Sequence, residues 1–561
     1  MASSPVDSLV ALPLEIFQYI LSYLPNPDIK NLRLTSSSIS DRAHPRLDRA
    51  FLSANQRNIE VFRSIASHEV FRRRVVEIIW DDARLQEEQP RERYDSDDVY
   101  ARSGDLCDCN NGCDCCSPDN GCPVWFARVC KENIKYLLRR KHRDVDRPDH
   151  VARDRQVAAE LPLRESWEYY QGLVRVQKAV LASGADISAF RYGLEQFPAL
   201  KRVTLTPVAH GWLFAPLYKT PMIQDFPYGF NYPIPRGWPI LSRGEKSMEA
   251  CPWGVSSGET QKNQWRGFRA VTRALAQQAH HHHVLEFSVE VNQLFTGVNC
   301  RIFDQPCREY NDLVILLQKP GFSRFDISLL VGGVEHDGWP CFRSGLLYSA
   351  LAGAPDLQHI SLCTDVYPDP DGQGIEKWSG GSIQHFIPLQ TIFPVEKWLR
   401  LRHFGLSGFL VMQDDVLNLL AALPSTIRSV ELSFLHFLDR GGSYMELLEQ
   451  MRNTLRWRDR PLEERPQVLI ATELISVQDG RSVWVDCEVT EFLYSDGINP
   501  FSCGDPNRIL NNSGMGTVRD AFEPEHERPL LSPSKLAKLG CRKWSPTGTM
   551  LSRPPYQAVV D

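Results

Sequence analysis

The chain lacks the signatures that catalysis most often leaves in a sequence. Its 561 residues hold no Gly-x-x-x-x-Gly-Lys phosphate loop, no Gly-x-Ser-x-Gly elbow and no His-Glu-x-x-His pair. Gly405-Leu406-Ser407-Gly408 comes near the elbow but has the wrong spacing. The adjacent carboxylates Asp81-Asp82 and Asp414-Asp415 suit the end of a strand and the start of a helix, where negative charge is favourable. No apolar run approaches the roughly eighteen residues that a membrane span needs. A basic excess is also missing. Lys and Arg total 63 against 69 Asp and Glu, for a net charge of −6, which argues against broad nucleic-acid or anionic-membrane binding. Met1 to Asp7 carries no basic residue, so no secretory leader is expected. The 15 cysteines do not resemble a secreted disulfide framework, and the expected compartment is the reducing cytoplasm or nucleus.

What is present is an ordinary globular composition, 42% hydrophobic and 24% charged, in a chain longer than one typical domain. Near its start runs Leu12-Pro13-Leu14-Glu15-Ile16-Phe17-Gln18-Tyr19-Ile20-Leu21-Ser22-Tyr23-Leu24-Pro25. Pro13 suits a helix start, and Ile16, Phe17, Ile20, Leu21 and Leu24 share one broad apolar face. Pro25 stops that helix. Asp28 is read as the N-cap of a second helix carrying Ile29 and Leu32, and Ser36 to Ser38 cap a third through Ile39 toward Ala43. Three short helices cannot enclose a core alone, so their apolar surface needs a cover. The run resembles the F-box: Leu-Pro, an acidic residue, Ile, then Ile-Leu-x-x-Leu, Pro and Asp. Ser37, Ser38 and Ser40 stand where many members carry larger side chains.

A second pattern, apolar-x-x-apolar-x-apolar, recurs along the chain. It occurs at Val75, Ile78, Trp80; at Leu200, Val203, Leu205; at Val284, Phe287, Val289; and at Phe322, Phe325, Ile327. It continues at Leu357, Ile360, Leu362; at Leu401, Phe404, Leu406; and at Ile427, Val430, Leu432, with a weaker relative at Val468 to Ala471. Several of these strands follow a helical segment and a breaker. Such units cannot bury their apolar side alone and must stack on their neighbours. The array resembles a degenerate leucine-rich repeat, although its spacing is irregular and the usual asparagine is missing; another α/β arrangement also fits. The expected fold class is therefore α/β: an N-terminal three-helix F-box, then an irregular leucine-rich-repeat-like solenoid with a curved parallel sheet and outer helices. Residues 47–74 read as further helix.

The expected domains are an F-box at 8–46, a body at 47–490 and an extension at 491–561, mostly flexible from about 525. Residues 84–123 read as an exposed loop, acidic and then rich in Cys and Gly. Residues 206–262 are dense in Pro and aromatic residues and are expected to lie over the body. Cys107, Cys109, Cys113, Cys115, Cys116 and Cys122 are conceivable zinc ligands, but their spacing makes no Cys-x2-Cys knuckle, and no metal or cofactor is expected. His280 to His283 read as a solvated turn, and Leu138 to Arg143 as a basic helix end.

The F-box resemblance implies a non-catalytic substrate-recognition subunit of an SCF-type cullin–RING ubiquitin ligase, or else a non-degradative scaffold. It implies that Leu12, Pro13, Ile16, Ile20, Leu21, Leu24 and Leu32 meet a Skp-type adaptor, with Glu15 at the rim. A client protein would meet the body, with the aromatic-rich loops as the contact surface. No nucleic-acid or membrane partner is implied. The Ile78-Ile79-Trp80-Asp81-Asp82-Ala83 run is similar to F-box proteins of filamentous fungi.

Overall fold

The computed structural model describes residues 9, 11–87, 121–140, 150–239, 250–254, 258–292, 294, 296–335, 337–366, 385–438, 440–473, 482–502 and 515–516. Cys107 to Cys116 and the expected tail from 525 lie outside them.

Three helices come first: α1 (Leu14–Ser22), α2 (Asn26–Arg33) and α3 (Ser37–Arg42). The second helix starts two residues before Asp28. Pro27 sits within its first two positions, where the missing N–H costs nothing, and Asp28 lies in its first turn rather than at the cap. The chain then enters a ten-stranded parallel sheet. Its strands are β1 (Arg49–Ser53), β2 (Glu77–Asp81), β3 (Arg202–Thr206), β4 (Glu286–Val289), β5 (Val298–Asn299), β6 (Arg324–Leu330), β7 (His359–Thr364), β8 (His403–Ser407), β10 (Ser429–Ser433) and β12 (Gln467–Leu469). The small β9 (Leu410–Val411) and β11 (His436–Phe437) pair beside it. Apart from the short β5, which pairs with β6, neighbours in the sheet follow the order of the chain. Each unit adds its strand to the edge left by the unit before it, and parallel pairing forces a crossover each time. This is a solenoid-like α/β order.

Every spaced apolar segment is a strand of this sheet, and all stand in register. Ala50, Ile78, Val203, Phe287, Phe325, Ile360, Phe404, Val430 and Val468 form one continuous row. The row is buried, together with Trp80, Leu205, Ile327, Leu362, Leu406 and Leu432. Helices Gln56–Ser67, Ala185–Gln196, Arg266–Gln277, Arg308–Leu317, Leu346–Ala352, Gln413–Ala422 and Tyr444–Thr454 contribute to the same core. The helix expected over residues 47–74 is corrected: it begins only at Gln56, behind β1. Leu47, Ala50 and Leu52 carry the strand spacing, but alanine signals it faintly. The body also reaches past the expected boundary at 490, because Phe492, Leu493 and Phe501 are in the core.

The opposite sheet face is polar, as alternation along a strand requires. Its first row is laced by charge. Arg49 lies 3.2 Å from Glu77, and Arg202 Nε lies 2.6 Å from Glu286. Arg324 and His359 hold Asp326 at 2.6 and 2.8 Å. Burial alone would raise the Asp326 pKa, but His359 and Arg324 outweigh it and hold the carboxyl below its usual range. His359 stacks on His403 at 3.9 Å between ring centres. Burial, with the His359 charge, lowers His403 to about 3.

Over β1 and β2 this face is roofed by the expected insertion, where Ala209, Leu217 and Tyr218 pack on Ile79 and Phe51. Most other insertion aromatics turn away from solvent, with Tyr228 exposed. Phe230 and Tyr232 join a second core with Phe126 and Tyr170, from helices Val124–Arg140 and Leu163–Ser183. Trp238 and Trp253 are likewise buried, so the expectation of an aromatic contact surface there is corrected. The start of the expected loop at 84 is tied down as well. Gln177 exchanges hydrogen bonds with the Leu85 backbone at 2.8 and 2.9 Å. Of the histidine run, His280, His281 and His283 are exposed. His282 is buried, with Nε2 3.0 Å from the Leu275 carbonyl and Nδ1 accepting the Val284 N–H.

The two aspartates at the end of β2 join these layers. Asp82 accepts Trp238 Nε1 at 2.7 Å and the Gly267 N–H at 3.0 Å, tying the insertion to the start of helix Arg266–Gln277. A Cβ on Gly267 would fall 2.5 Å from the Asp82 carboxyl carbon, so the approach requires glycine. Asp81 accepts the Ala83 N–H through Oδ1, while Oδ2 makes no hydrogen bond and sits 3.9 Å from His210 Nε2. Burial, aided by the Asp82 charge, pushes Asp81 up to about 8.

Two outcomes follow from this packing. Phe325→Ala, in the middle of the row, should cost about 3–5 kcal/mol in denaturant unfolding, and a loss below about 1 kcal/mol would contradict the shared core. For Asp81 the folded pKa lies above the unfolded one. The wild type's stability from this group is therefore complete below about pH 4 and falls as pH rises toward 8. Asp81→Asn does not titrate. Its unfolding free energy relative to wild type should gain on the order of 1 kcal/mol per pH unit between pH 5 and 8; parallel pH profiles would contradict the assignment.

Candidate docking site

The first helix carries two apolar stripes. Phe17 and Leu21 face inward, at 0% and 6% exposure, against Ile29, Ile39 and Ala43, with Leu9, Leu12, Leu24 and Leu32 partly buried around them. Ile16, Tyr19, Ile20 and Tyr23 face outward, at 50%, 63%, 38% and 70%. Their spacing of three, four and seven residues places them in one line along the helix. Leu14 and Leu34 are exposed nearby. Six of the fourteen large hydrophobic residues exposed among the described residues therefore fall between positions 14 and 34. A patch this concentrated marks an interaction surface rather than scattered exposure.

The sequence-predicted residues divide between these stripes. Pro13, Glu15, Ile16 and Ile20 are exposed, whereas Leu12, Leu24 and Leu32 are half-buried against the small core. Leu21 belongs to the inner stripe and holds the helix in place. Leu14, Tyr19, Tyr23 and Leu34 were not singled out. Tyr19 and Tyr23 fall between the residues that define the motif, and only the helical spacing with Ile16 and Ile20 reveals them. Their rings meet edge to face at 5.1 Å, and the Tyr23 hydroxyl donates to Tyr19 Oη at 2.5 Å. Giving up that donor holds the Tyr23 phenol above its usual pKa.

Two arginines brace the unit. Arg42 donates to the Leu12 carbonyl at 2.7 Å and lies 4.8 Å over the Phe17 ring. Arg46 donates to the carbonyls of Leu21, Ser22 and Leu24 at 2.8, 3.2 and 2.6 Å. The Leu21 and Ser22 carbonyls belong to the last turn of α1 and the Leu24 carbonyl lies just beyond it, so the cation meets the negative end of the helix dipole. Asn26 exchanges hydrogen bonds with the Arg46 backbone at 2.7 and 2.8 Å. Three residues later β1 begins, so the brace also ties the helices to the body. Arg46→Ala should cost this unit about 1–3 kcal/mol. In hydrogen exchange the amides of Tyr19 to Leu24 should lose protection while those of β6 to β8 keep theirs; unchanged exchange in α1 would contradict the bracing role.

Other candidate chemistry is sparse. Among the described residues, no group of three or more His, Cys, Asp or Glu could hold a metal ion. Of the candidate thiols only Cys122 is described, and it packs on the second core. No described helix is long and apolar enough to cross a membrane.

The F-box domain family matches residues 9–43, the segment that contains both stripes and all three helices through α3. No curated protein matches the chain. The domain supports a role as the adaptor-binding subunit of an SCF-type ubiquitin ligase, with a Skp-type adaptor as its partner. The two-faced helix and its braced end are thus the working parts of an F-box domain at residues 9–43.

Proposed function

We propose that the chain is the substrate-recognition subunit of an SCF-type cullin–RING ubiquitin ligase, docking the adaptor at one end and a client protein at the other. The observation that carries this reading is the outward stripe of α1, which nothing in the described chain covers. Ile16 and Ile20 are its apolar anchors, Pro13 and Glu15 border it, and Leu12, Leu24 and Leu32 shape it from behind. The pattern is that of a helix laid in an apolar groove.

The client is held by the body. Most insertion aromatics are buried, and the sheet edge at β12 offers the body another contact surface. Glu431 and Leu469 are partly buried there and Gln467 is exposed, whereas Asp326 is enclosed by Arg324 and His359. The chain performs no bond chemistry in this reading. It raises the effective concentration of a client lysine near the ubiquitin carrier by holding both in one assembly.

The test is co-purification with a Skp-type adaptor under proteasome inhibition. Ile16→Asp with Ile20→Asp places two charges in the outer stripe without touching Phe17 or Leu21, so the small core is kept. Leu12→Asp is a poorer choice, because Leu12 also packs against that core. The double variant should lose the adaptor by at least about a hundredfold, since each buried charge costs several kcal/mol. Clients trapped by wild type should accumulate in cells carrying the variant. Equal adaptor recovery with both proteins would overturn the docking reading.

A further inference from the structure

We propose that Tyr19 and Tyr23 act together as the specificity element of the docking face, presenting one hydroxyl donor to an acceptor oxygen on the adaptor. This rests on the docking reading above and deepens it.

The two phenols occupy half of the outer stripe and are its most exposed members. A phenol has one proton to give and can also accept. The Tyr23 proton is spent on Tyr19 Oη at 2.5 Å, and among the described residues the Tyr19 proton has no acceptor. The pair is therefore a short chain with a defined direction, from Tyr23 through Tyr19 and outward. Accepting one hydrogen bond strengthens the donor at the other end. In the free protein, water takes that proton. A partner that covers the stripe strips the water away and must replace it.

Ile16 and Ile20 alone would settle into any apolar groove of suitable width. The phenol chain discriminates among grooves, because one without an acceptor opposite Tyr19 leaves a buried donor unpaired. The fitting partner is a Skp-type adaptor whose apolar groove carries a carboxylate or backbone carbonyl oxygen at that point. Apart from this mutual bond, neither hydroxyl holds the three-helix unit together, since its core is Phe17, Leu21, Ile29, Ile39 and Ala43. Tyr-to-Phe changes thus remove the donor and leave the fold.

The experiment is calorimetric titration of the full chain with purified Skp-type adaptor, for wild type, Tyr19→Phe, Tyr23→Phe, the double Phe variant and Ile20→Asp. Tyr19→Phe should weaken binding about 3- to 10-fold, the size of one lost hydrogen bond. Tyr23→Phe should cost less, because Tyr19 keeps its outward donor. The double variant should match Tyr19→Phe rather than the product of the two, as expected for coupled groups. Phe variants that bind within about twofold of wild type while Ile20→Asp abolishes binding would overturn the phenol role and leave the docking face standing. Wild-type binding by Ile20→Asp would remove the docking face itself, and this inference with it.

Discussion

Each strand of the body is apolar on one side only, and no single unit can bury that side. The row from Ala50 to Val468 is the constraint on which the rest depends. It runs unbroken across nine strands because their order in the sheet is their order in the chain. Stability in such an array is a sum over neighbours, so a unit in the middle is held from both sides. The helices that cap the row also leave the other sheet face free to be polar. That face holds the Arg–Glu ladder near β1 to β4 and the stacked His359 and His403 farther along.

The insertion after β3 changes what the polar face can do. Its aromatic side chains build a second core with two long helices and roof the first strands. Asp82 fixes this roof by receiving Trp238 and the Gly267 amide at one buried carboxylate. Burial still raises the Asp82 pKa, although Arg84, the Trp238 and Gly267 donors and Arg266 all favour its ionised form. Its neighbour Asp81, with the Ala83 N–H as its hydrogen-bond donor, is pushed up to about 8. Burial sets the direction of the shift at both carboxylates, and their partners oppose it.

Much of the body was legible because its strands use Val, Ile, Leu, Phe and Trp at fixed spacing. Ile78, Phe287 and Phe404 could be aligned without any knowledge of the long segments between them. β1 escaped because Ala50 contributes little to the pattern and its flanking arginines look helical. The insertion packs on the body at Ile79 and Phe51, and its Phe230 and Tyr232 are buried where the aromatic-rich loops were expected to form a contact surface. Their aromatic density fits a contact surface and a small core equally well, and only the helices at 124 and 163, distant in sequence, decide between them. The N-terminal segment shows the reverse balance. Its motif was plain, but the motif residues mix two roles, and Leu21 serves the inner one. Tyr19 and Tyr23 emerge only when the helix is viewed as a cylinder with two apolar sides.

The protein is accordingly an array with a rigid body and a small helical unit whose outward stripe is left open. Hydroxyl-radical footprinting of the full chain, with and without a purified Skp-type adaptor, tests that division most directly, because it reports side-chain exposure residue by residue. Ile16, Tyr19, Ile20 and Tyr23 should lose reactivity on adding the adaptor, while Tyr228, Leu462 and Ile498, exposed on the body, should not change. Protection on the body with none on the stripe would contradict the account.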